Sequence, residues 1–100
     1  MAGSCNREVG DVFRYKESIP LSYERQGYIY FKSLLYRDLP KAEQTRIRQL
    51  CRKAAGANAD ALLEFVTRRE SATAVCMRHY IASNTTLYRA LRRYYELFDL

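Results

Sequence analysis

Residues 83–98 read Ser-Asn-Thr-Thr-Leu-Tyr-Arg-Ala-Leu-Arg-Arg-Tyr-Tyr-Glu-Leu-Phe. Leu87, Leu91, Tyr94 and Phe98 recur at intervals of four, three and four, the period of one helix face rather than the alternation of a strand. Ser83 or Asn84 stands where a side-chain oxygen can accept an orphan backbone N–H, so a helix is predicted over 84–98. Its other face, with Asn84, Thr85, Tyr88, Arg89 and Arg92, is polar and cationic. A helix divided in this way needs further helices to cover its apolar side.

The same period recurs upstream. Ser71 suits the N-cap of a helix over 72–81, with Val75, Cys76 and His79 or Tyr80 inward. Asn58 suits the cap of a short helix over 59–68, with Ala59, Leu62, Leu63 and Val66 inward. Pro40 opens a helix over 40–55, since the first helical position does not use its N–H. Ile47, Leu50, Cys51 and Ala54 form its apolar stripe, Arg46, Arg48, Arg52 and Lys53 lie opposite, and Gly56 takes the left-handed C-cap. Ser22 caps a helix over 22–37, with Tyr23, Gly27, Tyr30, Phe31, Leu34 and Leu35 as its inward face. The run Tyr28–Phe31 has strand propensity, but the longer 3.6-residue period favours the helix. The expected architecture is all-α: a compact bundle of about five short helices ending in a helix-turn-helix-like pair.

One hundred residues make one domain, assigned to 20–100, with 1–19 as a flexible or loosely packed arm. Val12, Phe13 and Tyr15 are the residues expected to anchor that arm. At 48% hydrophobic the chain has enough apolar matter for a core, which argues against disorder throughout. No apolar run approaches the roughly 20 residues of a bilayer span, and Met1–Glu8 lacks the apolar core of a signal peptide. The expected location is cytoplasmic, with no membrane partner. Cys5, Cys51 and Cys76 are odd in number and form no Cys-x-x-Cys pair, so neither a disulfide framework nor a zinc site is expected. Cys51 and Cys76 read as small buried hydrophobes.

Charge is the first feature with functional content. The chain carries a formal +6. Between Arg46 and Arg93 ten basic residues face only Asp60, Glu64 and Glu70, a local charge of +7 that leaves −1 for the remainder. A field of this kind attracts phosphate backbones, acidic proteins or anionic lipid surfaces.

From Ile81 the order Ile-Ala-Ser-Asn-Thr-Thr-Leu-Tyr-Arg resembles the turn and recognition-helix start of helix-turn-helix regulators. Tetracycline-repressor-like proteins, for example, often read Gly-Val-Ser-x-x-Thr-Leu-Tyr there. The resemblance covers residues 73–92. It implies that Ser83 caps the recognition helix and that Thr86, Leu87 and Tyr88 open it. Ile81 takes the place of the pattern's glycine and, being β-branched, resists left-handed backbone. Met77 takes the place of a small residue and is expected to hold the two helices apart.

A recognition helix keeps its first turn and one polar face free for DNA while the other face is buried. The residues assigned to nucleic acid are therefore Ser83, Asn84, Thr85, Thr86, Tyr88, Arg89, Arg92 and Arg93, with Arg68, Arg69 and Arg78 lending phosphate contacts. A homodimer is compatible with such a role. In its small size and its Tyr- and Arg-rich basic character the chain is also similar to accessory proteins of bacterial mobile elements or phages. That likeness transfers no residue role.

Catalysis is not expected, nor is a cofactor or metal. His79 is the one histidine, four glycines form no phosphate loop, and no carboxylates pair at suggestive positions. A Cys76–His79 pair lacks a third, orienting group. Nine tyrosines without tryptophan suit macromolecular contact if Tyr28, Tyr30, Tyr36 and the pair Tyr94-Tyr95 face partly outward, but tyrosines at helical spacing in a small bundle more often line the rim of the core, and that reading is favoured. Three partners remain open: duplex DNA, which is favoured for a small regulator of transcription; an acidic protein surface met by an interaction module or small inhibitor; and RNA or single strands stacked on tyrosine.

Overall fold

A buried glutamine ties the first described segment to the bundle. The computed structural model describes residues 13–100. Gln26 is fully buried; its amide nitrogen donates to the carbonyls of Lys16 (3.0 Å), Ile19 (3.2 Å) and Leu21 (3.0 Å), and its Oε1 accepts from the Lys16 N–H at 3.0 Å. The loop at 16–21 thus has its backbone groups satisfied by one side chain, the condition for packing a loop against a core. Ile19 is buried behind it and Phe13 lies against α1, while Tyr15 is half exposed. Val12 and Cys5 lie outside the described residues.

Helix α1 (Tyr23–Leu34) starts at Ser22, whose Oγ accepts from the Arg25 N–H at 3.1 Å. It ends earlier than the sequence period suggests, and a single 3₁₀ turn at Tyr36–Asp38 leads to Pro40. Helices α2 (Lys41–Ala55) and α3 (Ala59–Thr67) are joined by a second 3₁₀ turn, Gly56–Asn58. Gly56 has φ +57° with ψ −118°, a conformation open essentially to glycine. Asn58 precedes α3, but its side chain makes no cap hydrogen bond, because the 3₁₀ turn already feeds the chain into the helix. Helix α4 (Ala72–Arg78) is capped by Ser71, whose Oγ accepts from the Ala74 N–H, and α5 (Asn84–Phe98) by Ser83, which accepts from the Thr85 N–H.

No strand occurs among the described residues; the molecule is all-helical and compact. Its core is built on α5, which buries Leu87, Ala90, Leu91, Tyr94, Tyr95 and Phe98. Ile47, Leu50 and Cys51 of α2 face it, and Ala61, Leu62 and Val66 of α3 close the side. Burial of these side chains supplies roughly 1.5–3 kcal/mol each for the larger ones, the main term holding α5 in place. Helices α2 and α5 run antiparallel: Arg46, near the start of α2, donates to the Phe98 carbonyl at 3.2 Å, whereas Ala54 and Ala55 lie beside Thr86 and Ala90.

Two sequence expectations are corrected. The inward face of α1 is Gln26, Ile29 and Ser33, rotated from the predicted one; Tyr23, Phe31 and Leu35 stand outward. The polar members are inside because each has a partner. Ser33 Oγ donates to the Ile29 carbonyl at 2.7 Å, so the buried Tyr94 hydroxyl donates to Ser33 at 2.7 Å. Accordingly Tyr94 is completely buried, as its place on the apolar face of α5 predicts, and Tyr95 is nearly so, against the reading that it faces partly outward.

Candidate nucleic-acid interface

Between α4 and α5 lies a five-residue connection whose conformation sets the exposed end of α5. The Ile81 N–H bonds to the Cys76 carbonyl (2.8 Å) and the Tyr80 N–H to the Met77 carbonyl (3.4 Å), the two bonds of a Schellman end. The left-handed residue is Tyr80, φ 59°, one position before Ile81. Ile81 is thereby relieved of the strained backbone and packs against the core instead. Tyr80 is 95% exposed, so its ring meets no steric conflict beyond the backbone strain itself. Met77, 75% exposed, points to solvent and does not separate the helices. At the turn's far side the Asn84 amide donates to Thr73 Oγ1 at 3.0 Å, joining the first turns of α4 and α5. Cys76 Sγ reaches the Ser83 carbonyl at 3.8 Å.

The α5 surface that results is open at its N-terminal turn. Ser83, Thr85 and Thr86 are exposed. Farther along, Arg89 and Arg93 point outward beside the end of α2, sharing a shallow recess with Ala54, Ala55, Asn58 and Thr86. Arg52 and Lys53 stand exposed in the last turn of α2. Among the described residues none of these four cations has an ion pair. The carbonyl end of the α2 dipole favours cations in its last turn and does not remove their charge.

Arg92 differs, for it pairs with Glu96 at 3.2 Å, one turn on. Tyr88 is engaged as well, with its ring edge-on to Phe65 (centroids 5.9 Å) and Lys16 above it at 5.4 Å. It still exposes enough of its surface to meet a ligand.

Arg68, Arg69 and Arg78 occupy another edge. Arg78 bonds to Glu64 (3.1 Å) and to Glu70; Arg68 lies 3.9 Å from both carboxylates; and His79 Nε2 meets Glu64 Oε2 at 2.9 Å. Partial burial works to raise the Glu64 carboxyl, but the bonds and charge of His79 and then Arg78 outweigh it, so its pKa lies below the usual glutamate value. Arg69 lines an internal cavity beside Phe13 and Tyr95. The three arginines assigned to phosphate therefore do not share the edge held by Arg89 and Arg93.

Sequence spacing does not expose this division, because Glu64 and Arg78 are fourteen residues apart and meet only through helix packing. Arg52 and Lys53, exposed in the last turn of α2, are further cations that the 73–92 pattern excludes. Their opposition to the α2 stripe was the available signal.

Cys51 and Cys76 are buried free thiols, and burial pushes the Cys51 thiol up to about 12. Among the described residues no group of three or more His, Cys, Asp or Glu side chains is placed to hold a metal, and no helix is long and apolar enough to cross a membrane. No family model, curated protein or solved structure matches the chain.

Proposed function

We propose that this protein is a non-catalytic binder of duplex DNA, with α4 and α5 as its helix-turn-helix and α5 as the helix presented to the groove. The observation that carries this reading is the cationic face of α5, where Arg89 and Arg93, without an ion pair among the described residues, stand beside the end of α2 and follow an open, Ser-capped first turn. Phosphate oxygens are the natural counter-charges for such an edge, and Thr85, Thr86 and Arg89 are of the types that contact backbone and base edges. A role as a small regulator or accessory factor follows from that activity.

Anisotropy of a labelled duplex, titrated with protein between about 50 and 200 mM salt, tests it. Four phosphate contacts give a slope of log affinity against log salt of about −3 to −4. The double variant Arg89→Glu/Arg93→Glu should weaken binding at least tenfold while its helical spectrum is kept. Equal binding by variant and parent overturns the assignment, as does a preference for RNA or single strands at matched salt.

A second reading, a protein-interaction module, is favoured by the outer face of α1. Tyr23 (57% exposed), Phe31 (47%) and Leu35 (53%) form with Leu39 an apolar groove, only partly covered by the Phe13 ring. Contiguous exposed apolar surface of this kind marks contact sites. Sedimentation velocity over a hundredfold range of concentration tests for a homodimer, which Phe31→Glu should dissociate.

A further inference from the structure

Where the last turn of α2 and the turn Gly56–Asn58 meet the first half of α5, the surface holds a shallow recess of about 280 Å³. Its apolar lining is small: Ala54 and Ala55 of α2 and Ala90 of α5. Its polar side chains are Thr86, Arg89 and Arg93 of α5, with Asn58 from the start of α3. Positions 86, 89 and 93 lie three and four residues apart and so share one face of α5. Among the described residues no carboxylate lines the recess.

These polar groups are not engaged elsewhere. Arg89 and Arg93 have no ion pair among the described residues, and a guanidinium group can only donate. The half-buried Asn58 precedes α3, where a residue of its type ordinarily bonds to the first turn, yet its side chain makes no such bond and has no other partner among the described residues. Two guanidinium groups, a hydroxyl and an amide around a lining of methyl groups suit a compact oxyanion. A phosphate group has several acceptor oxygens about one centre, so it can take charge-assisted bonds from arginine and further bonds from Thr and Asn at the same time.

We infer that this recess seats a single phosphate group. Arg89 and Arg93 supply the charge; the Thr86 hydroxyl and the Asn58 amide supply directed hydrogen bonds. As a seat for a phosphate of the duplex backbone, the site rests on the duplex reading and adds to it a residue outside α5. As a seat for a free phosphorylated ligand, it stands without that reading. Asn58 is the member that separates a built site from a general positive field. A field acts on any anion within a Debye length and is indifferent to an uncharged amide, whereas a seat loses a bond when that amide is removed.

The test titrates the full chain with inorganic phosphate, and separately with chloride to the same ionic strength, while amide and arginine Nε–H chemical shifts are followed. Phosphate should bind saturably, with shifts centred on Asn58, Thr86, Arg89 and Arg93, and chloride should not. Asn58→Ala keeps the net charge and removes no cap bond, so its melting curve should match that of the parent while phosphate binds about fivefold more weakly. Asn58→Asp places a carboxylate of the same shape in the recess and should weaken phosphate at least tenfold. Gln49→Glu makes the same change of charge at an exposed position of α2 outside the recess, and should weaken it less than about twofold. Duplex added to the phosphate-loaded protein identifies the source. Displacement of phosphate at Asn58 assigns the group to the backbone, and retention beside bound duplex assigns it to a free phosphorylated ligand. Absence of saturable phosphate binding overturns the inference even where duplex binds, as does equal affinity in the parent and Asn58→Ala. Loss of duplex binding with the phosphate seat intact overturns the duplex reading alone.

Discussion

Two arginine-bearing edges of this bundle differ in what surrounds the charge. On the α3–α4 edge, Arg78 and Arg68 meet Glu64 and Glu70, and His79 completes the cluster. On the α2–α5 edge, Arg89 and Arg93 meet no carboxylate among the described residues, nor do Arg52 and Lys53, exposed in the last turn of α2. Both edges fall within the segment that carries +7, and the count of charges makes no distinction between them. A guanidinium held against a carboxylate presents little net field to a ligand, whereas an unpaired one acts on charges within a Debye length of about 8–10 Å. The first edge joins two helices; the second is available to a phosphate backbone.

The largest expected effect sets the two edges against each other. Arg89→Glu/Arg93→Glu should reduce duplex affinity at least tenfold and make the salt slope shallower by about two. Arg68→Glu/Arg78→Glu brings the same change of net charge and should alter affinity by less than about threefold, since those side chains are already neutralised. Anisotropy at three salt concentrations separates them. Equal losses would mean that total charge, rather than pairing, governs binding.

A smaller effect sharpens the stabilising side of the contrast. Glu64→Gln should cost about 1 kcal/mol in urea unfolding at pH 7, because it weakens bonds to both His79 and Arg78. The native carboxyl titrates below its ordinary value of 4.5. Its contribution is therefore fully present above that value and is lost as pH falls through the lower native pKa. The gap between parent and variant should close below about pH 4.5. A gap that persists at pH 2–3 would show that shape, and not charge, is what the substitution disturbs.

The smallest effect concerns the turn that aims α5. Tyr80 holds left-handed backbone, a cost of about 1–2 kcal/mol for a residue with a Cβ. Tyr80→Gly removes that strain and adds backbone entropy to the unfolded chain, so a net gain of about 0.5 kcal/mol is expected in thermal unfolding. Ile81→Gly should destabilise instead, since it deletes a side chain packed on the core. Reversal of these signs would place the left-handed residue at the position where the helix-turn-helix pattern has its glycine.

The helical character was legible because it is local. Ser22 and Ser71 stand at the N-caps expected of them, Ser83 takes the cap left open between it and Asn84, each accepts a backbone N–H, and Leu87, Leu91, Tyr94 and Phe98 are all buried. A helix period and a capping hydroxyl act over three or four residues, a range that sequence alone displays. The side of α1 that faces inward was not legible: Gln26 and Ser33 look like surface residues until Lys16, Ile19, Leu21 and Tyr94 come within reach of their polar atoms.

The candidate interface divides in the same way. Sequence by itself determined the concentration of positive charge between Arg46 and Arg93, the polar outer face of α5 and the cap at Ser83. Which arginines lack an ion pair among the described residues, and that Arg89 and Arg93 lie beside the end of α2, came only with the packed bundle. The physical reason is range. Periodicity and capping are settled between near neighbours along the chain, but a charge is cancelled by whatever lies within a few ångströms in space, and Glu64 reaches Arg78 only once α3 and α4 have packed together.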